Sequence, residues 1–496
     1  MKTRFPIVAG LVVFVFHLIA NPHYGFFRDE LYFIICGFHP QWGYVDQPPV
    51  TPVLAAGTQL FGHSLLLLRA LAAVFAGASV YVICVLVLEF GGGAFAMTLA
   101  AICGALCPVL TAFAEKVGPD MVGLWLWPLA VLYIVRIVKG GDLRQWLYAG
   151  IAIGVSAESK YSVLFFAAAF LIALLLGPQR RILFSKWFLA GAGLAVLIAL
   201  PNFIWQAVNG FPMWELLRNG QLGKNVILSP AEYVLAQFII TNPLLALVWL
   251  CGLIWALLRS QWRFLGYGFV LLMLFMIAFK AKHYYPADVY PIMFALGAMA
   301  IESWTARAWF VRPVVATVAV LAGLMLLPYV EPILPEATFI RFNQAIGPKL
   351  GMGVIATEHT KQTWMTQDFA DMHGWPELAA TVQRVYDALP PAERAQAVAV
   401  AQNYGEASAI AFFSHVPVIS GHNQYYLWGT RGFSGNVILD VGGDCGASQH
   451  LFRQSQQVAV YSARYIMPYE NGRPIMLCRG IKVPLAKIWP GVKSYE

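Results

Sequence analysis

The chain has 496 residues, of which 59% are hydrophobic and only 12% are charged. Soluble domains carry about a quarter charged residues, so this composition excludes a soluble protein of this size, a disordered chain, a coiled coil and a small disulfide scaffold. The formal net charge of +8 is interpreted as the excess of Lys and Arg that membrane proteins place in cytoplasmic loops, and not as a sign of nucleic-acid binding.

Apolar stretches separated by charged residues predict a polytopic α-helical membrane protein. Crossing the hydrocarbon core takes roughly 20 residues, and eleven stretches approach that length. The fifth is short, which indicates a tilted, kinked or partly interfacial helix. The predicted spans are 5–21, 65–88, 94–114, 121–138, 145–157, 161–177, 187–204, 233–258, 264–279, 287–302 and 313–328.

Basic residues at the span ends predict the orientation. With Lys2 and Arg4 in the cytoplasm, the loops on that side collect ten further Lys and Arg residues and few acids. An odd number of spans then places everything after residue 329 outside. We therefore expect a cytoplasmic N-terminus and a C-terminal domain on the outer face of the membrane. A cleaved signal peptide at residues 1–20 is the disfavoured alternative, because the usual small residue before the cut is missing.

The first outer loop, residues 22–64, has the densest concentration of polar groups. It contains Arg28-Asp29-Glu30-Leu31-Tyr32 and a Trp, Tyr and Pro-rich stretch at 42–49. Two apolar stretches, 31–38 and 50–61, are too short to span and predict interfacial helices. A carboxylate held there can accept a proton from a hydroxyl whose partner substrate arrives from the lipid. The structural alternative for Asp29 is a helix N-cap.

Ionisable residues from distant parts of the chain fall on the outer side of this topology. Such groups are costly at membrane depth and usually functional. Their gathering on one side is typical of an interfacial active site, whereas transporters place polar residues near the midplane. The residues are Asp29, Glu30, Asp46, Arg69, Glu115, Lys116, Asp120, Glu158, Lys160, Lys280, Lys282, His283 and Asp288.

The last part of the chain has an ordinary soluble composition. We therefore divide the protein into a transmembrane catalytic domain, 1–328, and a small outer α/β domain, 329–496. Apolar runs at 397–401, 416–419 and 437–439 predict buried strands, with a helix at 405–413 between the first two. Cys445 and Cys478 are the only cysteines of this domain, and we expect a disulfide between them, the alternative being two buried free thiols.

Several short motifs resemble the protein O-mannosyltransferase and aminoarabinose transferase group, membrane glycosyltransferases of the GT-C fold. The resemblance covers most of residues 1–300, and the acidic pair after the first span is its most specific part. Two further stretches, Asn403-Tyr404-Gly405-Glu406-Ala407 and 421–429, resemble the outer domain of bacterial members. The other motifs are Asp29-Glu30-Leu31-Tyr32, Gly43-Tyr44-Val45-Asp46-Gln47-Pro48-Pro49, Arg69-Ala70-Leu71, Gly118-Pro119-Asp120, Ser159-Lys160-Tyr161-Ser162 and Lys282-His283-Tyr284-Tyr285-Pro286.

The resemblance implies a polyprenyl-phosphate sugar donor of the undecaprenyl type and transfer, with inversion, to a hydroxyl on the outer face. Together with the short loops it also implies a bacterial inner-membrane protein whose C-terminal domain is periplasmic. Asp29 would be the general base, and Glu30 would orient it or help to bind the acceptor. Asp120 matches a second family acid, and Arg69 matches a basic residue that faces the donor phosphate.

The leaving group of such a reaction is a phosphate whose charge grows as the glycosidic bond breaks. Cations in a poorly hydrated site stabilise that charge, and the candidates are Arg69, Lys160, Lys280 and Lys282, with His283 beside the last. The alternatives are interfacial anchoring for Lys282 and His283, and a purely structural ion pair for Lys160. Candidate substrate-binding residues are Tyr32, Tyr44, Asp46, Gln47, Tyr161 and Tyr284.

One position departs from the aminoarabinose transferases, which carry a Lys where this chain has Gln47. We expect Lys160 or Lys282 to contact the phosphate instead, and the donor or acceptor to differ from that branch.

No zinc-ligand spacing or nucleotide-binding motif occurs, so we expect no required cofactor, although the acids suit a divalent cation. The expected partners are the bilayer, the lipid-linked donor and a lipid, glycan or protein acceptor, with no nucleic acid. The sequence thus predicts a glycosyltransferase. The alternatives are a transporter or flippase for a lipid-linked glycan and a non-catalytic envelope assembly factor.

Overall fold

The computed structural model describes residues 4–350, 365–446 and 450–496. Its first part is helical, and each predicted span contains an apolar helix. The helices are α1 (Phe5–Ala20), α2 (Arg28–Phe38), α3 (Val50–Gly57), α4 (Leu65–Glu89), α5 (Ala94–Leu106), α6 (Pro108–Glu115), α7 (Pro119–Val138), α8 (Gln145–Ala157), α9 (Ser162–Leu176), α10 (Lys186–Val208), α11 (Pro212–Asn219), α12 (Pro230–Ile240), α13 (Pro243–Leu258), α14 (Arg263–Ala278), α15 (Tyr290–Trp304) and α16 (Arg312–Leu326).

Fewer helices are long and apolar enough to span a membrane than the sequence has apolar stretches. Within the described residues, four helical stretches are long and apolar enough to cross a membrane, and counting three bent pairs as single spans gives seven. The predicted total of eleven is therefore not confirmed. The four are Leu65–Glu89, Pro119–Val138, Lys186–Val208 and Trp309–Tyr329.

Two predicted spans are not straight helices. The stretch predicted at 94–114 bends by 60° between α5 and α6, and that predicted at 233–258 bends by 109° between α12 and α13. Pro108 and Pro243 begin the second helix of each pair, because proline fits the first turn of a helix and not its interior. Asn242 turns the chain with a φ of +68° and caps α13 by accepting a hydrogen bond from the Leu244 N–H.

Close approaches between helices hold the bundle together. A Cβ at Gly150 of α8 would lie only 2.1 Å from the Gly191 carbonyl oxygen of α10, and one at Gly10 of α1 would lie 2.7 Å from the Gly77 carbonyl oxygen of α4. Small residues at such contacts let helix backbones pack directly against one another, the usual device in membrane bundles. A side chain at these positions would push the helices apart.

The first outer loop contains the two predicted short helices, α2 and α3. Leu31, Ile34 and Cys36 of α2 are fully buried. This helix packs against α3 on one side and against the outer domain on the other. Residues of the helical bundle and of the outer domain form one apolar core with it, so α2 is enclosed by protein.

The outer domain contains a five-stranded sheet with the order β2-β1-β3-β5-β4. The strands β1 (Ala397–Ala401), β2 (Val418–Ser420) and β3 (Val437–Val441) are parallel, as their buried apolar runs suggest, and β5 joins β3 and β4 in antiparallel pairs. Strands β4 (Phe452–Tyr461) and β5 (Arg473–Ile481) were not predicted. The helices of this part are α17 (Glu336–Ile346), α18 (Gln367–Ala370), α19 (Trp375–Asp387), α20 (Pro391–Arg394), α21 (Tyr404–Phe413), α22 (Gln424–Trp428) and α23 (Leu485–Ile488).

A disulfide joins Cys445 to Cys478, as the sequence predicts, with Cα atoms 5.9 Å apart. It fixes the loop after β3 to β5. Residues 351–364 and 447–449 of the predicted outer domain lie outside the described residues.

Candidate active site

Asp29 lies in the first turn of α2, at the boundary between the helical bundle and the outer domain. Its Oδ1 accepts a hydrogen bond from the Tyr404 hydroxyl at 2.8 Å and one from the Arg28 Nε at 3.3 Å. The side chain is about one-third exposed. Asp29 is not the N-cap of α2, because Phe27 occupies that position and its N–H donates to the Glu30 carboxylate at 2.8 Å. Asp29 is thus an accessible carboxylate with one oxygen fixed by donors.

A second carboxylate, Asp46, is held beside the same helix. The Tyr32 hydroxyl donates to its Oδ1 at 2.9 Å, and the Asn423 side-chain amide donates to its Oδ2 at 3.4 Å. Gln424 follows Asn423 at the start of α22, and its backbone N–H donates to the Tyr32 hydroxyl at 3.2 Å. The outer domain therefore contacts both acids of the first outer loop.

Glu30 and Arg69 form a fully buried ion pair. The Arg69 Nε and Nη2 donate to the two Glu30 oxygens, and the remaining N–H groups donate to backbone carbonyls of Asn21, His23 and Gly25. The sequence placed Arg69 at the donor phosphate. In the structure all five of its N–H groups have acceptors within the protein, which favours a structural role for Arg69.

Asp120 and Lys160 make a separate acid–base pair. The Lys160 Nζ contacts the Asp120 Oδ1 directly. The same Nζ lies 4.3 Å from the ring centroid of Tyr285 and 5.1 Å from that of Tyr284, a cation–π arrangement. Burial lowers the pKa of Lys160, but Asp120, Tyr285 and Asp288 together raise it above its ordinary value. Lys160 is therefore a cation at ordinary pH.

Hydrogen bonds that involve side chains connect the segments of these two groups of residues. The Val117 N–H donates to the Glu30 Oε1 at 2.9 Å, three residues before Asp120. The Ser159 hydroxyl donates to the Pro119 carbonyl at 3.0 Å and pairs with the Thr51 hydroxyl at 2.9 Å. The segments that contain Asp29, Asp120 and Lys160 thus meet at the end of the bundle that contacts the outer domain.

Lys282 and His283 lie between α14 and α15, where the sequence placed them. The His283 ring is buried, which lowers its pKa to about 4, and the charge of Lys282 acts in the same direction. His283 is therefore neutral at ordinary pH and offers no charge to a phosphate. Both residues accept hydrogen bonds on their backbone oxygens, from Tyr233 and Gln237 of α12 respectively.

The remaining predicted substrate-binding residues differ in their surroundings. Tyr44 is buried and donates to the Cys36 carbonyl at 2.8 Å, and Tyr161 donates to the Asn202 side chain of α10. Gln47 is buried too, yet neither atom of its side-chain amide has a hydrogen-bond partner among the described residues. A buried amide without partners is unfavourable, so Gln47 is suited to bind a ligand group.

Sequence reasoning assigned no role to Tyr404, Asn423 and Gln424. The motifs that contain them resemble those of known proteins. However, these residues lie 375 or more positions after their partners in the first outer loop, and the sequence does not indicate a contact between them.

One group of potential metal ligands occurs in the described part of the chain. It consists of Asp440, Cys445 and Cys478, whose ligand atoms lie within 4.8 Å of one another. The two thiols are joined in the disulfide and the Asp440 Oδ2 accepts a hydrogen bond from the Cys445 N–H at 2.8 Å. These residues therefore do not fit a metal while the disulfide is formed.

The chain is similar in sequence to known glycosyltransferases. Residues 46–205 match the family of dolichyl-phosphate-mannose-protein mannosyltransferases. The chain is 26% identical over 239 residues to the lipid A galacturonosyltransferase RgtD of Rhizobium johnstonii, a match that covers 45% of this chain and 48% of that protein. The chain thus spans about half the length of the curated relative it matches.

Two solved structures share the fold along nearly the whole chain. ArnT from Cupriavidus metallidurans bound to undecaprenyl phosphate superimposes with a TM-score of 0.61 and 14% identity, covering 95% of this chain and 97% of ArnT. The apo form of ArnT gives the same TM-score and identity and covers 96% of ArnT. The resemblance inferred from the motifs is confirmed, and the chain is a multi-pass membrane protein with the ArnT fold.

Proposed function

We propose that the protein is a membrane glycosyltransferase that transfers a sugar from a polyprenyl-phosphate donor to a hydroxyl acceptor at the outer face of the inner membrane. The proposal is supported by the match to a mannosyltransferase family, by the galacturonosyltransferase relative and by the fold shared with a protein that binds undecaprenyl phosphate. The single observation that carries it is the environment of Asp29. One oxygen of this carboxylate is fixed by two donors while the side chain remains accessible.

Asp29 is the general base of the proposed reaction. The acceptor oxygen forms a bond to the anomeric carbon as the bond from that carbon to the phosphate oxygen breaks. The acceptor proton passes to Asp29, and the electron pair of the broken bond stays on the polyprenyl phosphate. A single displacement of this kind inverts the anomeric centre, and a positioned base contributes about 10²–10⁴-fold to such a step.

Lys160 stabilises the phosphate that departs. Its ammonium group lies at the outer end of the bundle, beside the rings of Tyr284 and Tyr285. A preorganised cation in a poorly hydrated site strongly favours a developing negative charge. Lys282 is the second candidate, whereas Arg69 has its N–H groups engaged and His283 is neutral. Asp120 holds Lys160 in place until the donor arrives.

A transfer assay with natural substrates tests the proposal. Polyprenyl-phosphate sugars are extracted from source cells grown on labelled sugar, and envelope material from a strain without the gene serves as the acceptor. Purified wild-type protein is expected to move the label into a lipid, glycan or protein fraction. A transporter or an assembly factor would leave the label on the polyprenyl carrier.

A pair of variants tests the base. Asp29→Asn is expected to lower turnover by about 10²–10⁴-fold. Asp387→Asn changes an exposed carboxylate at the end of α19 and serves as the matched control, with turnover like that of the wild type. Equal turnover in wild type and Asp29→Asn would exclude the general base.

A further inference from the structure

We infer that Tyr404 of the outer domain is a positioning residue for the general base Asp29. The inference rests on the proposed function and assigns a role to the Asn403-Tyr404-Gly405-Glu406 motif. The observation that supports this role is the 2.8 Å hydrogen bond from the Tyr404 hydroxyl to the Asp29 Oδ1.

The bond leaves the other carboxylate oxygen for the acceptor. Among the described residues, both donors to the Asp29 side chain, Tyr404 and Arg28, end on Oδ1. A carboxylate fixed through one oxygen cannot rotate freely about its side-chain bonds. The Oδ2 of Asp29 is therefore held in a single orientation. Fixed geometry of this kind contributes to catalysis because the base is already aligned when the hydroxyl arrives.

Tyr404 is itself held from three sides. The Asn403 side chain caps α21 by accepting a hydrogen bond from the Glu406 N–H at 2.9 Å, which sets the start of the helix. The Tyr404 ring lies 4.7 Å from the ring of Tyr32 and 4.9 Å from that of His422. The hydroxyl therefore has little freedom to leave Asp29.

The hydroxyl also keeps its proton. Burial raises the pKa of Tyr404 well above the ordinary value, and the nearby Asp29 charge adds to this while Arg28 opposes it. Tyr404 thus stays protonated and donates to Asp29, and it takes no part in the proton transfer.

Gly405 allows Arg28 to approach the same carboxylate. A Cβ at this position would lie 2.4 Å from the Arg28 Cγ and 2.7 Å from its Cδ. The same Cβ would lie 3.1 Å from the Oδ1 of Asn403, which caps α21. A side chain at position 405 would therefore crowd both Arg28 and the start of the helix that carries Tyr404.

Tyr404→Phe tests the inference in the transfer assay described above. The ring and its packing remain, so we expect an unfolding midpoint close to that of the wild type. We expect kcat to fall about tenfold or more, while KM for donor and acceptor stays within about twofold, because an aligning contact acts on the chemical step and not on substrate binding. Tyr386→Phe, which removes a hydroxyl that donates to the Arg394 carbonyl in the same domain, is the matched control and should retain wild-type kcat.

Gly405→Ala is the second variant, and we expect it to lower kcat as well, because it crowds both Arg28 and the Asn403 cap of α21. Wild-type kcat in Tyr404→Phe would overturn the role of Tyr404 and leave the proposed function intact. Absence of transfer by the wild type would overturn both.

Discussion

Arg69 and Glu30 form a buried ion pair in which two N–H groups of the guanidinium, on Nε and Nη2, face the two carboxylate oxygens at 3.3 Å and 3.1 Å. The other N–H groups hold the backbone of residues 21–25, directly before α2. The pair therefore fixes the helix that presents Asp29, and it does so from α4, on the opposite side from the outer domain.

Replacing Arg69 by Met should destabilise the protein. Removing one partner of a buried pair leaves an uncompensated charge and costs about 3–5 kcal/mol in typical cases. We expect the unfolding midpoint in detergent to fall by several degrees, and Glu30→Gln to have a similar effect. A wild-type midpoint combined with a raised KM for the donor would instead indicate that Arg69 binds the phosphate.

Lys160→Met should slow the step in which the bond between the sugar and the donor phosphate breaks. Loss of a cation that stabilises the departing phosphate is expected to lower kcat for sugar transfer by about 10²-fold or more. Lys186→Met, at the start of α10 on the opposite side of the bundle, is the matched control and should leave transfer unchanged. If Lys160 only fixes helix packing, the variant will show a lower unfolding midpoint with normal kcat per folded molecule.

The stability of the outer domain should decrease as the pH rises from about 4 to about 7. Burial raises the pKa of Asp371 from 3.8 to about 7, against the opposing influence of Arg28. Between these two pH values the folded protein keeps a proton that the unfolded chain has already released. The free energy of unfolding therefore falls as the pH rises, until the folded pKa is passed. Asp371→Asn should give a shallower decrease in unfolding midpoint between pH 5 and pH 8 than the wild type, with Asp387→Asn as control. Identical slopes for Asp371→Asn and the wild type would contradict the assignment.

Residue pattern alone predicted much of the fold, because burial in a membrane or in a parallel sheet leaves a clear apolar signature. Each predicted span contains an apolar helix, and α21 and the first three strands fall close to their predicted positions. Strand β4 was missed because it is largely exposed and polar, so it lacks the alternation of a half-buried strand. The bend at Asn242 was missed because its surroundings are apolar on both sides.

The residue types of the candidate site were predictable from the sequence, whereas the contacts between them were predictable only in part. Charge and span order grouped these acids and bases in the sequence, whereas the pairing of Lys160 with Asp120 was not predicted. The burial of Arg69 was not predictable, because three of its acceptors are backbone carbonyls that carry no side-chain signal. The contact between Tyr404 and Asp29 joins residues 375 positions apart, and only the folded chain brings them together.

The most direct measurement of the central claim separates donor binding from sugar transfer in Asp29→Asn. The account predicts that the purified variant binds undecaprenyl phosphate as tightly as the wild type, while transfer of labelled sugar falls by about 10²–10⁴-fold. Transfer at the wild-type rate with unchanged binding would contradict it.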